Sequence, residues 1–135
     1  MKIILMFLVC MMILPGCSSE KKSTHVSSSD EKISYTKISQ DEAKKMMEKD
    51  DGHVIVDVRR EDEFASGHSP SAVLIPNESI GTDKPAELPD PDQIILVYCR
   101  SGNRSAQASQ KLADLGYTNV FDFGGIMTWT GEIEK

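Results

Sequence analysis

Thiols are scarce in this chain: 135 residues hold three cysteines, Cys10, Cys17 and Cys99. Positive charge is also short, with 15 Lys and Arg against 21 Asp and Glu and a net charge of -6. Nucleic-acid binding needs clustered cations to neutralise phosphates, so this balance argues against it and makes any anion site local. No apolar run reaches the length of a membrane span. The longest covers Ile3 to Leu14, which as a helix reaches about 18 Å against a hydrocarbon core of about 30 Å. Walker and dinucleotide glycine patterns are missing. His25 and His53 stand without a Cys, His or carboxylate cluster at ligand spacing, so neither a metal nor an organic cofactor is expected.

What is present begins with a leader. Lys2 precedes the apolar run, and Leu14-Pro15-Gly16-Cys17 follows it. A short apolar run behind one cation, closed by small residues, is the layout of a signal peptide. The last four residues resemble the bacterial lipobox, which implies that Cys17 is diacylated through sulfur and becomes the new N-terminus. Ser18 to Lys32 is almost wholly polar and reads as a solvated tether. The expected organisation is a signal peptide over 1–16, the lipidated Cys17 and tether over 17–33, and one domain over 34–135. That places the protein outside the cytoplasm, lipid-anchored to the cell membrane. With Cys10 cleaved away and Cys17 acylated, Cys99 is the one remaining thiol, which excludes an internal disulfide framework.

Within the domain, strand-like and helix-like stretches alternate. Tyr35 to Ile38 reads as a weak strand, and Ser39 with Glu42 forms a capping box ahead of a helix carrying Ala43, Met46 and Met47 on one face. Val54 to Val58 is a β-branched run suited to a strand covered on both faces. A short helix over Glu61 to Ser66, a strand over Ala72 to Ile75 and an irregular connection over Pro76 to Pro91 follow. Ile94 to Tyr98 is the most apolar run and the expected central strand, delivering Cys99 at its C-terminal end. Asn103 to Leu115 reads as a helix stopped by Gly116, Asn119 to Phe123 as a strand, and the residues after Gly124-Gly125 as a short helix containing Trp129. Such alternation implies an α/β fold with a central, mostly parallel five-stranded sheet and helices on both faces. Ligands of open sheets bind beyond the carboxyl ends of the strands, where Cys99 stands.

The segment Cys99-Arg100-Ser101-Gly102-Asn103-Arg104-Ser105 carries the chemistry. A thiolate is favoured by a helix N-terminus, by nearby cations and by backbone N–H donors. A loop between a central strand and the next helix can curl its amides toward one point, and Gly102 permits the conformation this needs. Arg100 and Arg104 add charge, so the loop forms a cradle for an anion beside a sulfur nucleophile.

Here the chain resembles the rhodanese (thiosulfate sulfurtransferase) family in its small single-domain form. The matching pieces are Asp57-Val58-Arg59 with Glu63-Phe64, Gly67-His68 with Pro70 and Ala72, Ile75-Pro76-Asn77, the Cys99 loop, Gly116-Tyr117, Gly124-Gly125 and Trp129. The resemblance implies that Cys99 takes a sulfane sulfur as a persulfide and passes it to cyanide or a thiol. It also implies that Arg100, Ser101, Gly102, Asn103 and Arg104 hold the donor anion. Its partners would be a small sulfur donor, a thiol or cyanide acceptor and, through Cys17, a membrane; a monomer is expected. Asp57, Arg59, Glu63 and His68 are expected to brace the loop and helix ends, with Tyr117 and Trp129 as packing residues. Ser69 and Ser71 depart from the isoleucine and glycine that commonly flank the proline in the family.

Two rivals frame the reading. Cysteine phosphatases and arsenate reductases use a Cys-x5-Arg loop, and this segment is one residue too short for their cradle. A non-catalytic sulfide- or anion-binding module would keep the fold without turnover, yet this chain retains both the thiol and the second arginine.

Overall fold

The computed structural model describes residues 32–135. The leader, Cys17 and the tether up to residue 31 lie outside the described residues. Five strands form one sheet: β1 (Thr36–Lys37), β2 (Val54–Asp57), β3 (Val73–Leu74), β4 (Ile94–Cys99) and β5 (Asn119–Gly125). Three α-helices accompany them: α1 (Gln40–Met47), α2 (Glu61–Ala65) and α3 (Asn103–Asp114). The strand order is β1-β5-β4-β2-β3, and every neighbouring pair runs parallel. Parallel pairing needs crossovers, and the helices supply them. An isolated antiparallel bridge between His68 and Glu134 ties the chain end to the loop after α2.

Side-chain alternation on the central strand sorts the core into two layers. Ile95, Val97 and Cys99 join Val56, Val58, Ala108, Leu112 and Val120 on one face. Leu96 and Tyr98 join Ala43, Ile55 and Phe123 on the other, with Met46, Met47 and Trp129 packed against them. Residues of α3 thus cover one face and residues of α1 the other, each large buried side chain contributing about 1.5–3 kcal/mol. The same alternation sends Cys99 toward the layer that contains α3.

Local signals match the helix ends. Glu42 N donates to Ser39 Oγ at 3.2 Å, and Ser39 N donates to Glu42 Oε2 at 2.8 Å, completing the capping box of α1. At the far end of α3, Gly116 adopts φ +98, the left-handed stop its sequence position suggests.

Two elements differ from the sequence expectation, and a third, the irregular connection, stands as expected but also supplies core. Trp129 is not in a helix: the turn after Gly125 is a 3-10 helix over Ile126–Thr128, and Trp129 follows it in extended backbone. The indole packs 5.4 Å from the Phe123 ring, while the Trp129 N–H donates to Ile126 O at 3.1 Å as the closing bond of that turn. The Pro76 to Pro91 connection contributes core: Ile80 is buried, Leu88 is fully enclosed, and Leu88 O accepts from Tyr117 Oη at 2.7 Å. The strand expected over Tyr35 to Ile38 shrinks to two residues, because only Thr36 and Lys37 pair with β5.

Candidate active site

Two glycines decide where the Cys99 loop lies. Between β4 and β5 the register shifts, with Val97 opposite Asp122 but Cys99 opposite Gly125, so β5 carries one extra residue. Gly124 takes φ +91 at that point, and its N–H donates to the buried Asp122 carboxylate at 2.9 Å. Gly125 is required for a different reason. A Cβ there would stand 2.2 Å from Arg100 O and 2.7 Å from Ser101 Cα, so the loop lies directly on its backbone.

The loop then folds back on the sulfur. Gly102 adopts φ +108, and its N–H donates to Cys99 Sγ at 3.0 Å. Gly102 O accepts from Ala106 N at 3.2 Å as the first turn of α3 and from Ser105 Oγ at 3.0 Å. Ser105 is fully buried and also donates to Gly124 O at 3.4 Å, pinning loop and bulge together. Cys99 is only 1% exposed, whereas Arg100, Ser101 and Asn103 are exposed around it. The thiol therefore sits at the floor of the loop, beneath those exposed residues.

The two arginines have different surroundings. Arg104 forms a two-pronged pair with Glu63 of α2, Nη1 to Oε2 at 2.7 Å and Nη2 to Oε1 at 2.9 Å. The Arg104 hydrogen bond, against a smaller cost of burial, lowers the Glu63 carboxyl to about 2. Glu63 Oε2 also accepts from Arg60 N at 3.0 Å, so the carboxylate holds the start of α2 as well. Arg100 has no acidic partner within salt-bridge distance among the described residues.

Behind the sulfur, a buried polar network fixes the end of β4. Arg59 pairs with Asp57, Nη2 to Oδ2 at 2.7 Å, and also donates to Gly67 O at 2.7 Å. Tyr98 Oη donates to Asp57 Oδ2 at 2.7 Å and accepts from Ser69 N at 3.0 Å. Burial, reinforced by the Asp57 hydrogen bond, pushes the Tyr98 phenol well above its ordinary value, so it remains a donor. His68 stacks on Phe64 with centroids 3.9 Å apart. Asp57, Arg59 and His68 are among the bracing positions expected from the sequence, whereas the part taken by the Tyr98 hydroxyl was not expected.

The five expected anion-binding residues are brought together at the start of α3, but the Arg104 guanidinium faces a carboxylate. Sequence reasoning singled out Glu63 as a brace without its partner, and it missed Ser105 as a clamp. The pairing of Glu63 with a residue so far along the chain has no local sequence signal. Ser105 was visible as a small hydroxyl in the first turn of a helix, a position that can bond back to the preceding carbonyl.

A separate groove of about 590 Å³ lies among Lys44, Met47, His53, Ile55, Pro70 and Trp129, with no residue of the Cys99 loop in its lining. It carries no nucleophile beside an anion cradle, so the chemistry is assigned to the loop. Among the described residues no group of three His, Cys, Asp or Glu could hold a metal ion.

The model of the rhodanese-like domain matches residues 39–132. The thiosulfate sulfurtransferase PspE of Escherichia coli is 32% identical over 71 residues, 53% of this chain and 68% of that protein. The putative sulfurtransferase YtwF of Bacillus subtilis is 36% identical over 89 residues, 66% of this chain and 84% of that protein. A fungal relative, the adenylyltransferase and sulfurtransferase of Meyerozyma guilliermondii, is 39% identical over 90 residues, 62% of this chain. The match spans about one fifth of that fungal protein, 21% of its length. Among solved structures, a rhodanese-like domain protein from Staphylococcus aureus superposes with a TM-score of 0.63 at 32% identity, covering 73% of this chain and 96% of that one.

Proposed function

This chain belongs to the rhodanese-like domain family, and from that premise we propose that it moves a sulfane sulfur from a donor such as thiosulfate to cyanide or a thiol through a persulfide on Cys99. The observation that carries the reading is the Gly102 N–H held on Cys99 Sγ at 3.0 Å by a left-handed glycine at the head of α3. A backbone donor in that place favours negative charge on sulfur, both on the attacking thiolate and on the persulfide that follows.

In the first step the Cys99 thiolate attacks the outer sulfur of thiosulfate. A new S–S bond forms, the donor's S–S bond breaks, and its electron pair leaves with sulfite. In the second step the acceptor attacks the outer persulfide sulfur; with cyanide the products are thiocyanate and the Cys99 thiolate. No oxidant or reductant is consumed. Burial of Cys99 suits this chemistry, because the added sulfur extends about 2 Å beyond the thiol and so reaches nearer the loop rim. Exposed Arg100 and the loop amides supply charge and hydrogen bonds for the donor's oxygens.

The deciding experiment is thiosulfate-dependent thiocyanate formation by wild type and Cys99→Ser, with mass spectrometry of the loaded protein. Gain of one sulfur on Cys99, removed by cyanide and lost in the variant, is the expected result. A mass unchanged by thiosulfate and by organic sulfane donors would instead indicate a binding module.

The same proposal places the domain outside the cytoplasm, anchored through Cys17, on the strength of Leu14-Pro15-Gly16-Cys17 behind its apolar run. Among the described residues no helix is long and apolar enough to cross a membrane. Cys17→Ser should release the protein from membranes, and retention of the variant would refute acylation as the anchor.

A further inference from the structure

We propose that Glu63 sets the charge preference of the Cys99 site: by closing on Arg104 it leaves Arg100 as the loop guanidinium without an acidic partner among the described residues, so that singly charged sulfane donors are favoured over doubly charged ones. The inference rests on the sulfur-transfer reading and ranks its donors, placing organic thiosulfonates and persulfides ahead of thiosulfate. Both Nη atoms of Arg104 are committed to the two oxygens of Glu63, at 2.7 and 2.9 Å. This fork-to-fork geometry is the strongest form of the pair. The side chains are 25% and 15% exposed, which shields the pair from solvent screening.

The surroundings do not replace the cancelled charge. Arg60, the other cation at the start of α2, lies 3.0 Å from Asp62 and 3.9 Å from Glu63. Glu61, Asp62 and Glu63 all lie in the first turn of α2, so this side of the site is acidic. A donor approaching Cys99 meets the sulfur at the floor, the Gly102 N–H on that sulfur, and exposed Arg100 next to it in the chain. Repulsion from the reacting thiolate grows with each negative charge on the donor, and one guanidinium offsets one such charge. An organic thiosulfonate fulfils that condition. The Cys99 electron pair forms the new S–S bond, and the donor's S–S bond breaks with its pair on the departing sulfinate.

The test is a charge-neutralisation cycle in the full chain, with variants Glu63→Gln, Arg104→Gln and the double variant. Iodoacetate and iodoacetamide differ by one charge, and the ratio of their rates on the Cys99 peptide reads local potential without requiring turnover. Glu63→Gln keeps an oxygen for the Arg60 amide while freeing the Arg104 charge, so the iodoacetate-to-iodoacetamide ratio should rise about fivefold. Arg104→Gln should lower it, and the double variant should return it close to wild type. That return could not follow from simple damage to the fold. In turnover, the thiosulfate-to-methanethiosulfonate ratio of kcat/KM should rise in Glu63→Gln. An unchanged alkylation ratio in Glu63→Gln, or a double variant that fails to return, overturns the inference. Absence of transfer from either donor with the alkylation cycle intact would instead sink the sulfur-transfer reading while upholding Glu63 as the residue that sets the potential.

Discussion

Arg100 and Gly125 meet backbone to backbone. The Arg100 carbonyl accepts from Met127 N at 3.2 Å, and the absent Cβ of Gly125 is what allows that carbonyl to settle against the bulged end of β5. The Cys99 loop is therefore shaped from below by a strand that reaches it only through the fold.

Gly125→Ala should consequently disturb both loop and stability. A methyl placed 2.2 Å from a carbonyl oxygen forces the backbone to move, an overpacking effect of about 1–3 kcal/mol. Sulfur loading of Cys99 should fall by at least about tenfold, because a shifted loop misaims its amides. Urea denaturation and loading measured by mass spectrometry check the two parts, and full loading in the variant would refute the role given to this contact.

Ser71→Gly should stabilise the protein. Ser71 is the one described non-glycine residue with positive φ, at +63, the position where the family commonly has glycine. Relief of left-handed strain, less the greater chain entropy of glycine, gives a gain of about 0.5–1 kcal/mol. A higher urea midpoint is the expected reading; a lower one would show that the serine side chain contributes more than its backbone costs.

Tyr98→Phe should destabilise by about 1–3 kcal/mol, because its hydroxyl both donates to buried Asp57 and accepts from Ser69 N. The ring remains in the α1-side layer, so Cys99 should still load with sulfur at temperatures well below the melt. Calorimetry and loading, measured on the same sample, separate the two effects.

Acid should weaken the Glu63–Arg104 pair within a defined window. Glu63 falls from an ordinary 4.5 to about 2 on folding, chiefly through the Arg104 hydrogen bond. A carboxyl lowered on folding adds stability that is fully present above its unfolded value and is lost as pH drops toward the folded one. Between about pH 5 and about pH 3, wild type should therefore lose more stability than Glu63→Gln. Parallel losses in urea titrations at these two pH values would show that the pair adds nothing in solution.

Legibility in the sequence followed distance along the chain. Ser39 with Glu42 announced the start of α1, and the run from Ile94 to Tyr98 announced the central strand, because capping and side-chain period are encoded by near neighbours. Leu88 was invisible for the opposite reason. It lies in a proline-rich connection without periodicity, and it is core because Tyr117 and the α3-side layer fold over it. Trp129 was misread as helical since an aromatic after two glycines carries no signal for where its ring will pack.

What the sequence determined alone is the parallel α/β order, the delivery of Cys99 at a strand end, and the glycine that turns the following loop toward its sulfur. These depend on backbone propensities and on neighbours a few residues away. Tertiary structure decided which charge the site displays: Glu63 meets Arg104 because two helices converge, and Gly125 meets Arg100 because two strands slip out of register. Coulomb energy depends on separation in space, so charges and backbones brought together by folding have consequences that their order along the chain does not contain.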